Sequence, residues 1–173
     1  MGTICIQYFE APCGRLLLGS HGERLCLCDW TKDNDRRARI DTRIQQATRA
    51  CYEWKNSDII TQTIMELREY FAGSRTSFDI PLLMVGTDFQ KQVWQSLRTI
   101  PYATTLTYAE EAKLIGKPSA IRAVANANRA NPISILVPCH RVIGSNGTLT
   151  GYGGGLEVKQ YLLDLERQER LLF

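Results

Sequence analysis

The run Pro138-Cys139-His140-Arg141-Val142 sets a thiol, an imidazole and a guanidinium side by side, at the end of the apolar stretch from Ile133 to Val137. A thiol is a strong nucleophile only as thiolate, and at neutral pH that requires a neighbouring base or a positive field to lower its pKa from about 8.5. His140 and Arg141 are candidates for both roles. The apolar stretch reads as a buried strand giving way to a polar, Gly-rich segment. The competing reading is a small packed Cys beside a surface His, so the elements around the run must decide.

Those elements are sharpest after residue 87. Thr87-Asp88-Phe89-Gln90 is a capping-box pattern opening a helix whose apolar positions are Phe89, Val93, Trp94, Leu97 and Ile100, with Pro101 as its stop. A second box, Thr107-Tyr108-Ala109-Glu110, opens a short helix ending near Gly116, and Pro118 sits at a first helical position for a third helix to about Ala130. Two short helices joined by a few residues containing Gly outline a helix-turn-helix. At 100° per residue, Ile121, Val124, Ala125 and Asn128 fall on an inward face, and Arg122, Asn126 and Arg129 share the opposite face with Ser119, Ala123 and Ala130. Small side chains between long basic ones allow close approach to a nucleic-acid groove.

The first half opens with strand-like segments at Thr3 to Glu10, Arg15 to Gly19 and Arg24 to Trp30, read as an antiparallel meander. A charged stretch from Thr31 to Arg39, a polar helix near Ile40 to Trp54 and an amphipathic helix from Ile59 to Phe71 with a Gly73 stop follow. Leu82 to Gly86 reads as a linker, dividing the chain into residues 1–86, a scaffold without visible chemistry, and residues 87–173. The 173 residues, 44% hydrophobic and 23% charged, suffice for one large or two small domains. Residues 1–86 carry eleven basic and eleven acidic side chains, whereas between Lys91 and Lys159 eight basic side chains face three acidic ones, the footprint of a phosphate-binding surface. The six cysteines lie mostly in apolar segments, and the N-terminus lacks a secretory-signal pattern, so reduced thiols in a cytoplasmic chain are expected. Cys26 and Cys28, two apart on a strand, would share a face with Cys5 and His21 nearby. Without a C-x-x-C pair, packing is favoured over zinc, and no metal is expected.

Phe89-Gln90-x-x-Val93-Trp94, Ile100-Pro101-Tyr102, Thr107-Tyr108, Arg122-Ala123-Val124, Asn131-Pro132-Ile133, Pro138 to Ile143 and Gly151-Tyr152-Gly153-Gly154-Gly155-Leu156 together resemble the O6-alkylguanine-DNA alkyltransferases. The match runs in order through nearly all of residues 87–173; the first half fits loosely, through its strands, Pro12-x-Gly14 and Tyr70 to Gly73. The resemblance implies an α/β two-domain chain: a ribonuclease H-like scaffold with a small antiparallel sheet and helices, then a mostly helical domain with a helix-turn-helix. It implies a monomer that binds double-stranded DNA containing alkylated guanine, with no membrane association and no cofactor.

By the same resemblance Cys139 matches the alkyl acceptor, His140 the histidine that takes its proton through a bridging water, and Glu166 the carboxylate that orients the imidazole. Asn131 matches a brace between the helix-turn-helix and the Cys loop. Arg122 matches the finger that fills the gap left by a flipped nucleotide, and Tyr108 the tyrosine that presses on the backbone at the flip and binds the base. Ser119, Ala123, Asn126 and Arg129 complete the DNA face, and Val142, Tyr152, Gly153 and Gly154 wall the base pocket. Flipping is required because a thiolate cannot reach the O6 alkyl group inside the stack. An alkylated Cys is a thioether that water does not hydrolyse, so one chain repairs one lesion. Three residues depart from the pattern: Ala103 and Ala125 where Gly is usual, mild steric changes, and Glu111 where an apolar residue is usual. A buried Glu111 would need a Lys or Arg partner, so it is expected at the helix edge. A binding module without chemistry and a Cys-His hydrolase are the other readings. Cys139 argues against the first and Arg122 against the second.

Overall fold

The computed structural model describes residues 2–172. β1 (Gly2–Ala11), β2 (Gly14–His21) and β3 (Arg24–Trp30) form the expected antiparallel meander. The sheet then departs from expectation. Ala50–Trp54 is not the end of a helix but a fourth strand, β4, pairing parallel with β1 in the order β3-β2-β1-β4. The helix before it, α1 (Asn34–Thr48), begins inside the stretch that reads as charged loop, because Asp33 caps it through the Arg36 amide and because Arg36 and Arg37 are buried against Asp29. Hydropathy periodicity registers arginines as exposed and so misplaces this helix. α2 (Asp58–Phe71), capped by Ser57, closes the first half.

A register shift at Gly19/Ser20 makes Cys26 the extra residue of a β-bulge, facing neither partner squarely. Alternation is broken there, so Cys26 packs with Ile4, Ile6 and Ile44 while Cys28 packs with Leu16, Leu18 and Trp94. The two thiols therefore do not share a face. Among the described residues no group of three His, Cys, Asp or Glu could hold a metal ion.

In the second half α3 (Asp88–Leu97) has the reciprocal Thr87–Gln90 capping box, and α4 (Tyr108–Leu114) is capped by the Thr107 hydroxyl. α5 begins at Ile121, three residues after Pro118, and ends at Arg129. Its core stripe is Val124, Ala127 and Asn128, whereas Ile121 is exposed, a turn of the helix away from the expected inward face. The Trp94 indole donates to the Ala127 carbonyl at 2.8 Å and locks α3 to α5. Ile133 to Val137 is buried as expected but is not a strand: a single bridge joins Ile133 to Cys28, and Ile135 is turned into the left-handed region at φ 72°. A short 3-10 turn, Cys139–Arg141, leads into β6 (Val142–Ile143), which pairs parallel with β5 (Leu106–Thr107). α6 (Leu156–Leu172) crosses behind the turn. Among the described residues no helix is long and apolar enough to cross a membrane.

Candidate active site

The 3-10 turn puts three consecutive side chains into the interior: Cys139 is 7% exposed, His140 is fully buried and Arg141 is 7% exposed. Glu166, one face of α6, meets two of them. Its carboxylate accepts from or shares a proton with His140 Nε2 at 2.6 Å, takes two bonds from the Arg141 guanidinium (Nε to Oε1 at 2.8 Å, Nη2 to Oε2 at 3.1 Å), and accepts from the Tyr70 hydroxyl at 2.6 Å and the Ala103 amide at 3.1 Å. Burial alone would raise the Glu166 pKa, but His140 and Arg141 beside it hold the carboxyl well below the usual range. Because an ionised Glu166 accepts at Nε2, the neutral imidazole carries its proton there. His140 Nδ1, buried and without a hydrogen-bond partner among the described residues, is left as the lone-pair nitrogen. Burial lowers the His140 pKa despite Glu166, which keeps the ring neutral and able to accept a proton.

The positive field on the thiol does not come from the neighbour that adjacency suggests. Arg141 is neutralised by Glu166 and spends its remaining donor on the Ile100 carbonyl at 2.8 Å. Burial raises the Cys139 pKa, and what opposes it is a hydrogen bond from Asn131 and the charges of Arg36 and Lys159. Sequence reading missed both cations. Arg36, on α1, shares the buried Asp29 with Arg37 and reaches across to the end of α5 and the residues just beyond it, with Nε donating to Arg129 O at 2.6 Å and Nη2 to Asn131 O at 2.9 Å. Arg43 adds a bond to Ala130 O at 3.1 Å. Cations at a helix C-terminus are favourable, and here they tie the first half of the chain to the end of the exposed helix. Lys159, on α6, is fully buried with no carboxylate in contact among the described residues. Its ammonium donates to Val142 O at 2.6 Å, Thr150 O at 3.1 Å and the Tyr108 hydroxyl at 3.5 Å. Burial lowers its pKa, and the Cys139 thiolate is the group that works against this.

Asn131 donates to Val137 O at 2.8 Å and accepts from the Ile133 amide at 2.9 Å, bracing the segment that leads into Cys139. Tyr108, the first residue of α4, donates to Thr150 O at 3.3 Å and so joins the same cluster. Val142 is buried beside it, and Tyr152 accepts a bond from the Trp30 indole at 3.0 Å. Gly153 and Gly154 are not open toward the thiol alone: a Cβ at Gly153 would lie 2.6 Å from the Arg36 guanidinium carbon, and one at Gly154 2.8 Å from the Trp30 ring. Ser119, Arg122, Ala123, Asn126 and Arg129 are brought together elsewhere, all exposed on α5 and its approach.

The departures resolve differently from expectation. Glu111 is fully buried, not at an edge, and has neutral partners: Asn128 Nδ2 donates to it at 2.8 Å and Ser96 Oγ at 3.2 Å. Asn128 on α5 was the signal, a polar residue on a core stripe whose partner had to come from α4. Ala103 stands at φ 61°, where Gly is unstrained and a Cβ is not, so this replacement is more than mild.

Residues 4–84 match the family model described as the 6-O-methylguanine DNA methyltransferase ribonuclease-like domain, and residues 88–168 match that of the DNA binding domain of the same family. Methylated-DNA–protein-cysteine methyltransferase of Methanosarcina acetivorans is 45% identical over 158 residues, covering 91% of this chain and 95% of that protein. That of Mycobacterium leprae is 42% identical over 163 residues, covering 94% and 92%. The crystal structure of Mycobacterium tuberculosis O6-methylguanine methyltransferase superposes with a TM-score of 0.81 at 41% identity, over 96% of this chain and 94% of that one. A structure of the M. tuberculosis protein in complex with DNA gives 0.80 at 41% identity, over 95% and 93%.

Proposed function

The chain belongs to the 6-O-methylguanine DNA methyltransferase family, and from that premise we propose the roles of its residues in repairing O6-alkylguanine in DNA by transfer of the alkyl group to Cys139. The observation that carries the assignment is the buried array Cys139, His140 and Glu166, with Nε2 of the histidine held at 2.6 Å by the carboxylate and Nδ1 left without a partner. That polarity makes Nδ1 the acceptor of the thiol proton, by way of a water as the family resemblance implies. The thiolate sulfur attacks the O6 alkyl carbon, the C–O bond breaks, and its electron pair returns to the guanine. Guanine takes up a proton from water, the imidazolium of His140 returns to water the proton it took from the thiol, and Cys139 is left as a thioether, so that the net change is thiol plus O6-alkylguanine to thioether plus guanine. No group in the array can hydrolyse a C–S bond, so the reaction stops after one turnover.

Lys159 and Arg36 supply the positive field that opposes the cost of a buried thiolate. Arg141 does not; its bidentate bond ties the Cys139–Arg141 turn to Glu166 on α6 and keeps the carboxylate ionised. Asn131 and Tyr108 position the thiol loop and the base, with Val142, Tyr152, Gly153 and Gly154 around the base. The exposed face of α5, with Arg122, Asn126 and Arg129 long and Ser119 and Ala123 small, suits a groove of double-stranded DNA, and Arg122 is the side chain that takes the place of the flipped nucleotide. O4-methylthymine presents a comparable alkyl ether and is a second substrate to test. Cys26, Cys28 and Cys139 are buried free thiols, which fits a reducing cytoplasm as the compartment.

Arg122→Ala tests the flipping assignment. Transfer from O6-methylguanine in a duplex should fall far more than reaction with the free modified base, because only the duplex needs the gap filled. Equal losses on the two substrates would remove Arg122 from that role.

A further inference from the structure

The wall of the proposed base pocket is held from the first half of the chain, through Trp30. This indole sits at the end of β3, is 2% exposed, and makes two separate contacts with the Gly-rich segment. Its N–H donates to the Tyr152 hydroxyl at 3.0 Å, and its ring lies so close beneath Gly154 that a Cβ there would approach Cδ1 and Cγ to 2.8 Å. Arg36 makes the corresponding close approach at Gly153. Its other anchor is Thr150, whose carbonyl accepts from Lys159 and Tyr108; Gly144, Gly147, Gly151, Gly153, Gly154 and Gly155 lie within twelve residues, and no strand or helix runs between Ile143 and Leu156. Glycine backbones lose the most freedom when they are held in one conformation, so the anchoring contacts decide where this wall stands.

Gly154 also borders a half-open cleft of about 160 Å³, lined with it by Trp30, Lys32, Glu157 and Val158. Well-packed interiors resist displacement because every shift creates overlap; a wall that borders open space meets less of that resistance. We infer that Trp30 is a positioning residue that sets the width of the alkyl pocket, and with it the size of alkyl group the protein accepts, by pinning Tyr152 and Gly154 beside this cleft. The inference rests on the reading of Tyr152, Gly153 and Gly154 as the base-pocket wall.

Trp30→Phe keeps an aromatic ring under Gly154 and removes the hydrogen bond to Tyr152. Gly154→Ala does the reverse, forcing a methyl group against an intact indole and driving the wall toward the thiol. The measurement is the ratio of second-order transfer rates from two duplexes, one with O6-benzylguanine and one with O6-methylguanine, on full-length protein. Trp30→Phe should raise the benzyl-to-methyl ratio by about fivefold, the order expected for one lost hydrogen bond. Gly154→Ala should lower it. Tyr152→Phe removes the same hydrogen bond together with the one to Ser134 and should shift the ratio in the same direction as Trp30→Phe, which keeps the test decisive should one variant fold poorly. A residue that merely stabilises the fold would lower both rates in step. An unchanged ratio in Trp30→Phe and Tyr152→Phe, or a shift of the same sign in Gly154→Ala, would overturn the inference. Failure of the wild-type chain to take a methyl group from the O6-methylguanine duplex would instead overturn the functional reading on which it rests.

Discussion

Replacing Glu111 with Gln should make the protein more stable at alkaline pH and leave it nearly unchanged at pH 5. Glu111 is fully buried between α3, α4 and α5 with Asn128 and Ser96 as its only hydrogen-bond donors among the described residues. Burial pushes its pKa up from an ordinary 4.5 to about 7, against the two hydrogen bonds, which lower it. Between those values the native chain keeps a proton that the unfolded chain has released. Stability from this group is therefore greatest below pH 4.5 and is lost as pH rises through 7, the opposite of an ion-paired carboxylate. Integrating the two titrations gives a loss of roughly 2–3 kcal/mol between pH 5 and pH 8. A Gln is neutral throughout, and its amide can serve the Asn128 Oδ1 that lacks a partner, after rotation of either amide. Urea unfolding of both proteins at pH 5, 6, 7 and 8 reads the effect as a difference in midpoint at constant slope. The expected result is coincident curves at pH 5 and a Gln variant ahead by about 2–3 kcal/mol at pH 8, roughly 5–10 °C in melting temperature for a chain of this size. Parallel pH profiles for the two proteins would show that Glu111 titrates normally and refute the reasoning.

Lys159→Met removes one of the two buried cations that lower the Cys139 pKa. The Cys139 pKa should rise, and transfer at pH 7 should fall by up to about tenfold for each unit of that rise. The deficit narrows as pH increases, so a pH–rate profile separates lost thiolate from lost positioning of Tyr108; a uniform loss at every pH would assign Lys159 to positioning alone. Glu166→Gln leaves the Arg141 guanidinium buried with the Ile100 carbonyl as its one remaining strong partner. It should cost about 3–5 kcal/mol in urea unfolding, beyond any loss of transfer, and a change under 1 kcal/mol would mean that the pair is not buried in solution.

How much of this was legible before the structure depended on whether a residue's partner was local. Thr87 and Gln90, Thr107 and Glu110, and the Gly73 stop are decided within one turn of chain, and each helix end they mark is where they put it. The Cys139-His140 pair was legible as chemistry, and Glu166 as its partner only through the family resemblance, since 26 residues separate it from His140. Arg36 and Lys159 were invisible for a physical reason. A charge reads as solvated, and what permits burial here is partners from elsewhere in the chain: the Asp29 carboxylate with the Arg129 and Asn131 carbonyls for Arg36, and the Val142 and Thr150 carbonyls for Lys159. The Cys26 bulge hides in the same way, because alternation is a property of one strand and the register shift belongs to two. Ile133 to Val137 misled in the other direction. An apolar run signals burial, not strand geometry, and Ile135 turns out of extended conformation at φ 72°.

The central claim is that Cys139 is the alkyl acceptor and acts once. Incubating the chain with excess duplex containing O6-methylguanine, then mapping the protein by intact-mass and peptide mass spectrometry, tests it most directly. One added methyl group per chain, located on Cys139 and absent from Cys139→Ala, is the predicted result. A methyl group on another cysteine, an unmodified protein beside repaired DNA, or more than one lesion repaired per chain would contradict it.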